Sequence, residues 1–119
     1  YEPLPGLHVI GQNTLGENIA DNAGLAIALK AYHLSLNGKP APVIDGYTGA
    51  QRFYLGWSQS WRWKYRDNNL RMRLVTDPHS PARFRVDGVV TNLEGFYAAF
   101  GVDVGDKLYR TPADRVKSW

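Results

Sequence analysis

Apolar residues recur at helical spacing over several stretches of this chain. From position 15 to position 36 they occur every three to four residues and Asn37-Gly38 follows as a stop signal, which predicts a helix over Leu15 to about Leu36. A second helix is predicted from Thr48 to about Arg66, and its apolar stripe comprises Ala50, Phe53, Tyr54, Trp57, Trp61 and Tyr65. A third is predicted over Asp67 to Thr76, because a residue that precedes proline, here Asp77, is pushed out of the α region.

The amino-terminal residues favour extended backbone. Prolines at positions 3 and 5 make Tyr1 to Gly6 an extended lead-in. Leu7 to Ile10 is short and ends before Gly11, which is typical of an edge-like strand or extended segment. His8 is expected to be a partly buried structural residue, and His33 a charge partner of the carboxyl end of the first helix.

The carboxyl-terminal third predicts shorter elements. Ser80-Pro81 indicates a helical turn through Arg85, with an irregular segment from Val86 to Val90 around Gly88. Thr91 to Glu94 has the spacing of a capping box at the start of a last short helix. The tail from Gly101 is expected to pack over the core through Leu108, Tyr109, Val116 and Trp119. The predicted fold class is mainly α, with an extended lead-in and a C-terminal tail.

Composition sets limits on the class of protein. The 119 residues form one domain at most, and 44% hydrophobic residues with 4 Trp, 7 Tyr and 4 Phe are ample for a core. A net charge of +3 is mild for a dedicated nucleic-acid-binding protein. The absence of cysteine excludes disulfides and cysteine-based metal sites or nucleophiles. No signal peptide or apolar run approaching ~20 residues is visible in this chain.

Two carboxylates lie four residues apart in the first predicted helix. Glu17 and Asp21 point from the same helix face, where like charges repel unless a cation, a shared proton or a histidine lies nearby. A metal ligand and the residue that supports it are commonly arranged in this way. Thr14 to Glu17 also has the pattern of a capping box, and spacing alone favours that structural interpretation.

Aromatic and basic residues alternate near the end of the second predicted helix, from Trp61 to Arg66. Such interleaving can bind single-stranded nucleic acid by stacking and charge neutralisation. On a helix, however, alternating residues point some 200° apart and form no flat platform, so a core stripe with a solvated basic face is favoured. A non-catalytic basic and aromatic binding module for nucleic acid or a protein partner stays as the alternative function.

Two blocks of sequence resemble the neprilysin family of zinc metallopeptidases. The run Thr-Leu-Gly-Glu-Asn-Ile-Ala-Asp-Asn-Ala-Gly-Leu at positions 14 to 25 is similar to that family's helix with the third zinc ligand. Asp-Pro-His-Ser-Pro at positions 77 to 81, followed by Arg85, resembles its second catalytic block. Further residues in the family's usual order are Gly88, Asn92, Phe96, Phe100 and Trp119. The resemblance runs from about Leu4 to the last residue.

The resemblance implies a role for each site residue. Glu17 corresponds to the third zinc ligand, and Asp21 to the residue that orients a zinc-bound histidine and is often credited with proton donation. His79 would donate a hydrogen bond to the oxyanion formed during hydrolysis. Arg85 would hold a substrate backbone carbonyl, and Trp61 would line the pocket for the side chain just after the cleaved bond. For Asp77, tuning of the imidazole and a plain turn role remain equally open.

The motif that supplies the remaining ligands is missing from this chain. His-Glu-x-x-His does not occur, and the three histidines, at positions 8, 33 and 79, have no suitable spacing. The resemblance therefore implies that residues 1–119 are the C-terminal segment of a thermolysin-like zinc metallopeptidase catalytic domain whose histidine helix lies upstream. Zn²⁺ is expected once per complete enzyme, and absent or weakly bound here, since one carboxylate is a poor site.

Further expectations follow from the same resemblance. Oligopeptides are the expected substrates and the upstream polypeptide is the expected partner, with no nucleic acid. The isolated chain is expected to be inactive and, because its ligand helix would expose an apolar face, a dimer is possible. Animal members carry disulfides where this chain has Arg62, Val102 and Val116, so a bacterial enzyme is inferred, periplasmic, secreted or membrane-associated.

Overall fold

The computed structural model describes residues 1–117, and this part of the chain is mainly helical. Its elements are α1 (Gly11–Ser35), α2 (Gly49–Ser60), α3 (Asp67–Thr76), α4 (Ala82–Val90), α5 (Glu94–Phe100) and a 3-10 helix (Pro112–Asp114). Over the same range, β pairing is limited to the isolated bridges Leu4 to Leu7 and Ile44 to Tyr47. The mainly α fold class is confirmed, and the strand considered for Leu7 to Ile10 does not form.

The core lies where α1, α2, α4 and α5 meet. Its buried residues are Leu25, Tyr54, Val89 and Val90, and Leu29, Phe53, Trp57, Val86, Leu93, Phe96 and Ala99 pack against them. Helix α2 packs on α5 and α4, and α1 packs on α4. Much of α1 remains uncovered, because Leu15, Ile27 and Leu34 are each more than half exposed. No helix within residues 1–117 is long and apolar enough to cross a membrane.

Helix α1 begins four residues before its predicted start. The capping box predicted from Thr14 and Glu17 is therefore wrong. Ile10 is the N-cap and makes no side-chain capping bond. Thr14 is buried inside the helix, where its hydroxyl donates to the Ile10 carbonyl at 3.4 Å. Asn37 and Gly38, both with positive φ, end the helix close to the predicted position. Glu17 therefore lies in the second turn and does not cap the helix.

Helix α2 begins as predicted but ends six residues early. Thr48 and Gln51 form a reciprocal capping box at its start. The helix ends at Ser60, and the next helix begins at Asp67 after a non-helical segment. Residues 61–66 are therefore not helical. The helical phase that was expected to point the aromatic and the basic side chains of this stretch in different directions is absent. Helix α3, in contrast, has the predicted bounds.

Residues 86–90 belong to α4, so the predicted irregular segment around Gly88 is wrong. Tyr1 packs so closely on Gly88 that a Cβ there would overlap the tyrosine hydroxyl. The glycine thus permits packing and does not break the helix. The N-cap of α4 is Pro81 and not Ser80.

The capping box predicted at Thr91 to Glu94 is also wrong. The Thr91 hydroxyl donates to the Asp87 carbonyl at 2.8 Å, and Leu93 is the N-cap of α5 without a side-chain bond. Thr91 therefore belongs to the end of α4, where it is the C-cap.

The tail is held mainly by polar contacts. The Tyr97 hydroxyl donates to the Thr91 carbonyl at 2.7 Å and accepts from the Arg110 backbone N–H at 2.9 Å. The Arg115 guanidinium lies 3.7 Å from the centre of the Tyr97 ring. Val116, predicted to pack through its side chain, is 55% exposed and is held by its backbone N–H, which donates to Asn92 at 3.0 Å. Leu108 and Tyr109 are partly buried as expected, and Trp119 lies outside the described residues.

Gly95→Ala is expected to destabilise the fold. A Cβ at Gly95 would lie 2.6 Å from Leu29 Cδ2 and 2.8 Å from the Tyr54 hydroxyl. Tyr54 is 3% exposed, so its ring has little room to move, and the same burial raises the pKa of its hydroxyl to about 12. Overpacking of this kind costs about 1–3 kcal/mol.

The matched control is Gly56→Ala, on α2. Nothing lies within 4 Å of a Cβ at Gly56, so alanine there is expected to stabilise the helix by roughly 0.5–1 kcal/mol. Denaturant unfolding of the whole protein measures both effects. Equal shifts for the two variants would show that the Leu29 and Tyr54 contacts do not restrict Gly95.

Candidate functional site

The residues singled out by the two sequence blocks meet in space. Glu17 and Asp21 lie on α1, His79 lies in the turn before α4, and Arg85 lies on α4. Glu17 Oε2 is 3.2 Å from His79 Nε2 and 3.7 Å from Arg85 Nη2. Trp61, the C-cap of α2, completes the group through its contact with Arg85. Three helices and one turn thus position five side chains at one place.

Arg85 and Asp21 form a bidentate ion pair at the base of the site. Arg85 Nε donates to Asp21 Oδ2 at 2.5 Å, and Nη2 donates to Oδ1 at 2.6 Å. The two side chains are 11% and 9% exposed, so the pair is largely removed from water. Paired, planar geometry of this kind fixes both groups. This contact gives Asp21 a structural partner that sequence spacing did not predict.

Aromatic side chains hold Arg85 from its other side. The guanidinium lies 4.1 Å from the centre of the Trp61 ring, a cation–π distance. Trp57 Nε1 donates to the Arg85 backbone carbonyl at 3.1 Å, which ties α2 to α4 at this residue. Trp57 and Trp61 are themselves in edge contact, with ring centres 5.6 Å apart. The guanidinium is therefore restrained by the aspartate and by an aromatic face.

His79 lies between two carboxylates. Its Nδ1 is 2.7 Å from Asp77 Oδ1, and its backbone N–H donates to the same oxygen at 2.9 Å. Its Nε2 faces Glu17, and the imidazole is 40% exposed. The Asp77 contact orients the ring so that Nε2 points to the Glu17 side, which favours the tuning role left open for Asp77.

Arg73 pairs with Asp77 and extends the network to α3. Arg73 Nη2 lies 2.5 Å from Asp77 Oδ2. Burial alone raises the pKa of Asp77, but the hydrogen bonds from His79 and the charges of Arg73 and His79 outweigh it and hold that pKa below its usual value. Asp77 is thus kept as the charged acceptor that the imidazole contacts.

A further hydrogen bond joins the two sequence blocks and was missed by the sequence interpretation. The Ser80 hydroxyl, in a side chain that is almost fully buried, donates to Asn18 Oδ1 at 2.9 Å. Asn18 Nδ2 in turn donates to the Thr14 hydroxyl at 3.3 Å. Asn18 is adjacent to Glu17 and Ser80 to His79, so this bond fixes the turn against the helix. The sequence offered one indication of this bond: a polar residue directly follows each of the two site residues, Asn18 after Glu17 and Ser80 after His79.

The other two histidines do not reach this site. His8 is exposed and not partly buried as expected, and His33 is exposed in the last turn of α1.

The His, Asp and Glu side chains of this part of the chain could contribute a ligand to a zinc site but do not form a complete zinc site. Glu17 offers a carboxylate that is 43% exposed, and its ion-pair contacts with His79 and Arg85 are made by Oε2. Within residues 1–117, however, no group of three or more His, Asp and Glu side chains is placed to hold a metal. A catalytic zinc takes three protein ligands and a water, so one carboxylate alone would not complete such a site.

Arg85→Ala is expected to destabilise the protein by roughly 3–5 kcal/mol, because Asp21 would keep a buried charge without its partner. The control is Arg83→Ala, two residues away, where the arginine is 69% exposed and pairs with Asp87 at the surface. That variant is expected to change stability by less than about 1 kcal/mol.

Denaturant unfolding measures both, and the Asp21→Ala, Arg85→Ala double variant is expected to recover part of the loss. A loss no larger than that of Arg83→Ala would show that the Asp21 contact does not stabilise the fold.

Comparison with known proteins places the chain among peptidases. Residues 2–116 match the sequence profile described as Peptidase family M13. The endothelin-converting enzyme homolog of Locusta migratoria is 36% identical over 94% of this chain, and Neprilysin-2 of Drosophila melanogaster is 38% identical over 99%. The chain spans only 16% and 15% of the length of those two proteins.

Solved structures of a bacterial protein share the fold. The zinc metalloprotease ZMP1 of Mycobacterium tuberculosis, in complex with an inhibitor, superposes with a TM-score of 0.96 at 54% identity. Its open state gives 0.94 at 55% identity. Both alignments cover 98% of this chain, and 19% and 18% of the respective ZMP1 chains.

Proposed function

Because this chain belongs to peptidase family M13, we propose that it is the C-terminal segment of the catalytic domain of a zinc metalloendopeptidase that cleaves internal bonds of oligopeptides. The predicted membership of the neprilysin family is confirmed, and similarity to a mycobacterial enzyme agrees with the bacterial assignment. One observation carries the proposal. Glu17 contacts His79, and Asp21 contacts Arg85, although more than sixty residues separate the partners in the sequence.

In this proposal Glu17 is the zinc ligand supplied by this chain. Two histidines from the upstream polypeptide complete the protein ligands, as the family resemblance implies. Bound zinc supplies a Lewis acid that polarises the substrate carbonyl and activates water. The position of Glu17 in the second turn of α1, without a capping role, supports this assignment.

His79 stabilises the oxyanion that develops on the substrate carbonyl. Asp77 accepts from Nδ1–H, so Nε2 can also donate toward the reacting carbonyl when the imidazole carries a proton on both nitrogens. Nε2 lies 3.2 Å from the Glu17 carboxylate, so donor and metal ligand border the same space. A donor placed before the reaction lowers the barrier because its bond strengthens as the charge develops.

Arg85 positions the peptide beyond the cleaved bond. Asp21 occupies Nε and Nη2, while Nη1 has no partner among the described residues and is available for a backbone carbonyl. Trp61, stacked on the guanidinium, contributes apolar surface to the pocket next to it. Asp21 thus holds Arg85 in place, and it retains lone pairs for the N–H of a zinc-bound histidine.

The remaining expectations stay predictions. The small share of its relatives that the chain spans and the missing His-Glu-x-x-His motif support the proposal that an upstream segment completes the enzyme. Alone, the chain is expected to be inactive and to bind zinc weakly. Dimerisation of the chain, and a periplasmic, secreted or membrane-associated location, are likewise predicted.

Hydrolysis of an internally quenched peptide with blocked ends tests the proposal in the full-length protein. We expect cleavage at an internal bond, loss of cleavage after treatment with a chelator, and recovery when zinc is restored. A protein that cleaves nothing, or cleaves equally well after the metal is removed, would contradict the proposed function.

A further inference from the structure

Trp63 is an exposed aromatic residue attached to the candidate site. It lies in the non-helical segment between α2 and α3, and 54% of its surface is exposed. Its ring centre is 5.4 Å from that of Trp61 and 6.5 Å from that of Tyr65. A large exposed indole held between two other rings is a rigid apolar surface.

The two neighbouring rings are already covered by arginines. Arg85 lies over Trp61 at 4.1 Å, and Arg73 lies over Tyr65 at 5.5 Å. The Tyr65 hydroxyl also accepts from the Ala82 backbone N–H at 3.3 Å, which anchors the segment to α4. Within residues 1–117, Trp63 is consequently the ring of this group that no other side chain covers.

The aromatic row formed by Trp61, Trp63 and Tyr65 begins beside Arg85. Trp61 contacts Arg85 and Trp63 contacts Trp61, so the Trp63 ring lies within two ring-sized steps of the guanidinium. An extended peptide advances at most roughly 3.3–3.6 Å per residue, so it covers that distance in about two to three residues. A peptide whose carbonyl is held by Arg85 can therefore place a side chain on Trp63.

We propose that Trp63 is a specificity-determining residue that binds an aromatic or large aliphatic side chain of the peptide, two to three residues C-terminal to the residue held by Arg85. The proposal rests on the proposed function, since it needs Arg85 to hold a peptide. It adds a substrate class: peptides with a bulky apolar residue two to three positions beyond the residue held by Arg85.

Single-stranded nucleic acid fits this surface less well. Stacking of successive bases needs several open rings in a row. Here Trp61 and Tyr65 are partly buried and covered by arginines, which leaves a single open indole. One side chain of a peptide matches one open ring.

Paired peptides test the inference in the full-length protein. The pairs are identical except for Phe or Ala at the second or third residue after the position held by Arg85. Because an aromatic pair contributes about 0.5–1.5 kcal/mol, we expect wild type to prefer Phe roughly 2- to 12-fold in kcat/KM at one of these positions. Trp63→Ala is expected to bring the ratio close to 1, and Trp63→Phe to keep most of it.

Met72→Ala is the matched control, because Met72 is an apolar residue on α3 with 57% exposure and lies outside the aromatic row. It is expected to keep the wild-type ratio. Trp63→Gln, which keeps more side-chain volume than alanine and has no aromatic face, replaces Trp63→Ala if that variant does not fold, and is expected to give the same loss.

An unchanged ratio in Trp63→Ala or Trp63→Gln, or an equal loss on both peptides of a pair, would overturn the inference while the proposed function stands. Wild type that cleaves neither peptide would overturn the proposed function, and this inference with it. Binding of a labelled single-stranded oligothymidylate that is lost in Trp63→Gln, with no peptide preference, would assign the surface to nucleic acid instead.

Discussion

Glu17→Ala in the full-length protein is expected to lower kcat/KM for peptide hydrolysis by more than about 100-fold, because loss of a ligand should exceed the roughly 10–100-fold cost of changing a residue that only supports one. Glu17 is 43% exposed, and its contacts with His79 and Arg85 are 3.2 Å and 3.7 Å long. Its removal should therefore cost little stability. The loss of activity then reflects loss of the metal and not unfolding.

Glu94→Ala is the control for a general effect of losing a carboxylate. Glu94 is exposed at the start of α5 and makes no contact with the site residues. Its replacement is expected to leave hydrolysis close to wild type, with both variants checked by circular dichroism. A Glu17→Ala protein that remains as active as Glu94→Ala would exclude Glu17 as a ligand.

His79→Gln is expected to lower kcat by about 10²–10³-fold, the usual cost of removing one oxyanion donor, with little change in KM. The effect falls on kcat because the bond strengthens in the transition state and not in the ground-state complex. Zinc content is expected to stay at the wild-type level. Steady-state kinetics on one peptide, together with metal analysis, measures all three quantities.

Asp77→Asn separates positioning from donation. Asparagine keeps the size of Asp77 but loses the charged acceptor that lies 2.7 Å from His79 Nδ1. A smaller loss of kcat than in His79→Gln is expected, since the imidazole remains but is held less firmly.

A rise in KM at constant kcat for His79→Gln would assign His79 to substrate binding in place of oxyanion stabilisation.

Local signals predicted those elements whose boundaries depend on local chemistry. Helix α3 has the predicted bounds because Pro78 excludes helical backbone at Asp77. The end of α1 follows from Asn37 and Gly38, which adopt positive φ. At such positions the chain itself fixes the conformation.

Prediction failed where packing between distant residues decided the structure. Gly88 lies inside a helix, where its missing side chain leaves the space that Tyr1 fills. Residues after Ser60 leave the helix and place Trp61 on Arg85, a contact across twenty-four positions. No local pattern contains information about either partner.

The candidate site was predicted through the family resemblance, since the carboxylate spacing alone favoured a capping role. The resemblance named Glu17, Asp21, His79 and Arg85, and the structure brings all four together. The resemblance did not predict two contacts of the site: the bidentate pair of Asp21 with Arg85 and the hydrogen bond from Ser80 to Asn18. Each of them joins residues more than sixty positions apart.

Zinc content per polypeptide, measured by mass spectrometry on the full-length wild type and on Glu17→Gln, is the most direct test of the role assigned to this chain. Glutamine keeps the shape of the side chain and removes the negative oxygen. We expect about one zinc per wild-type chain and a loss of most of it in Glu17→Gln, with the fold retained. Equal zinc in both proteins would show that the carboxylate of Glu17 does not hold the metal.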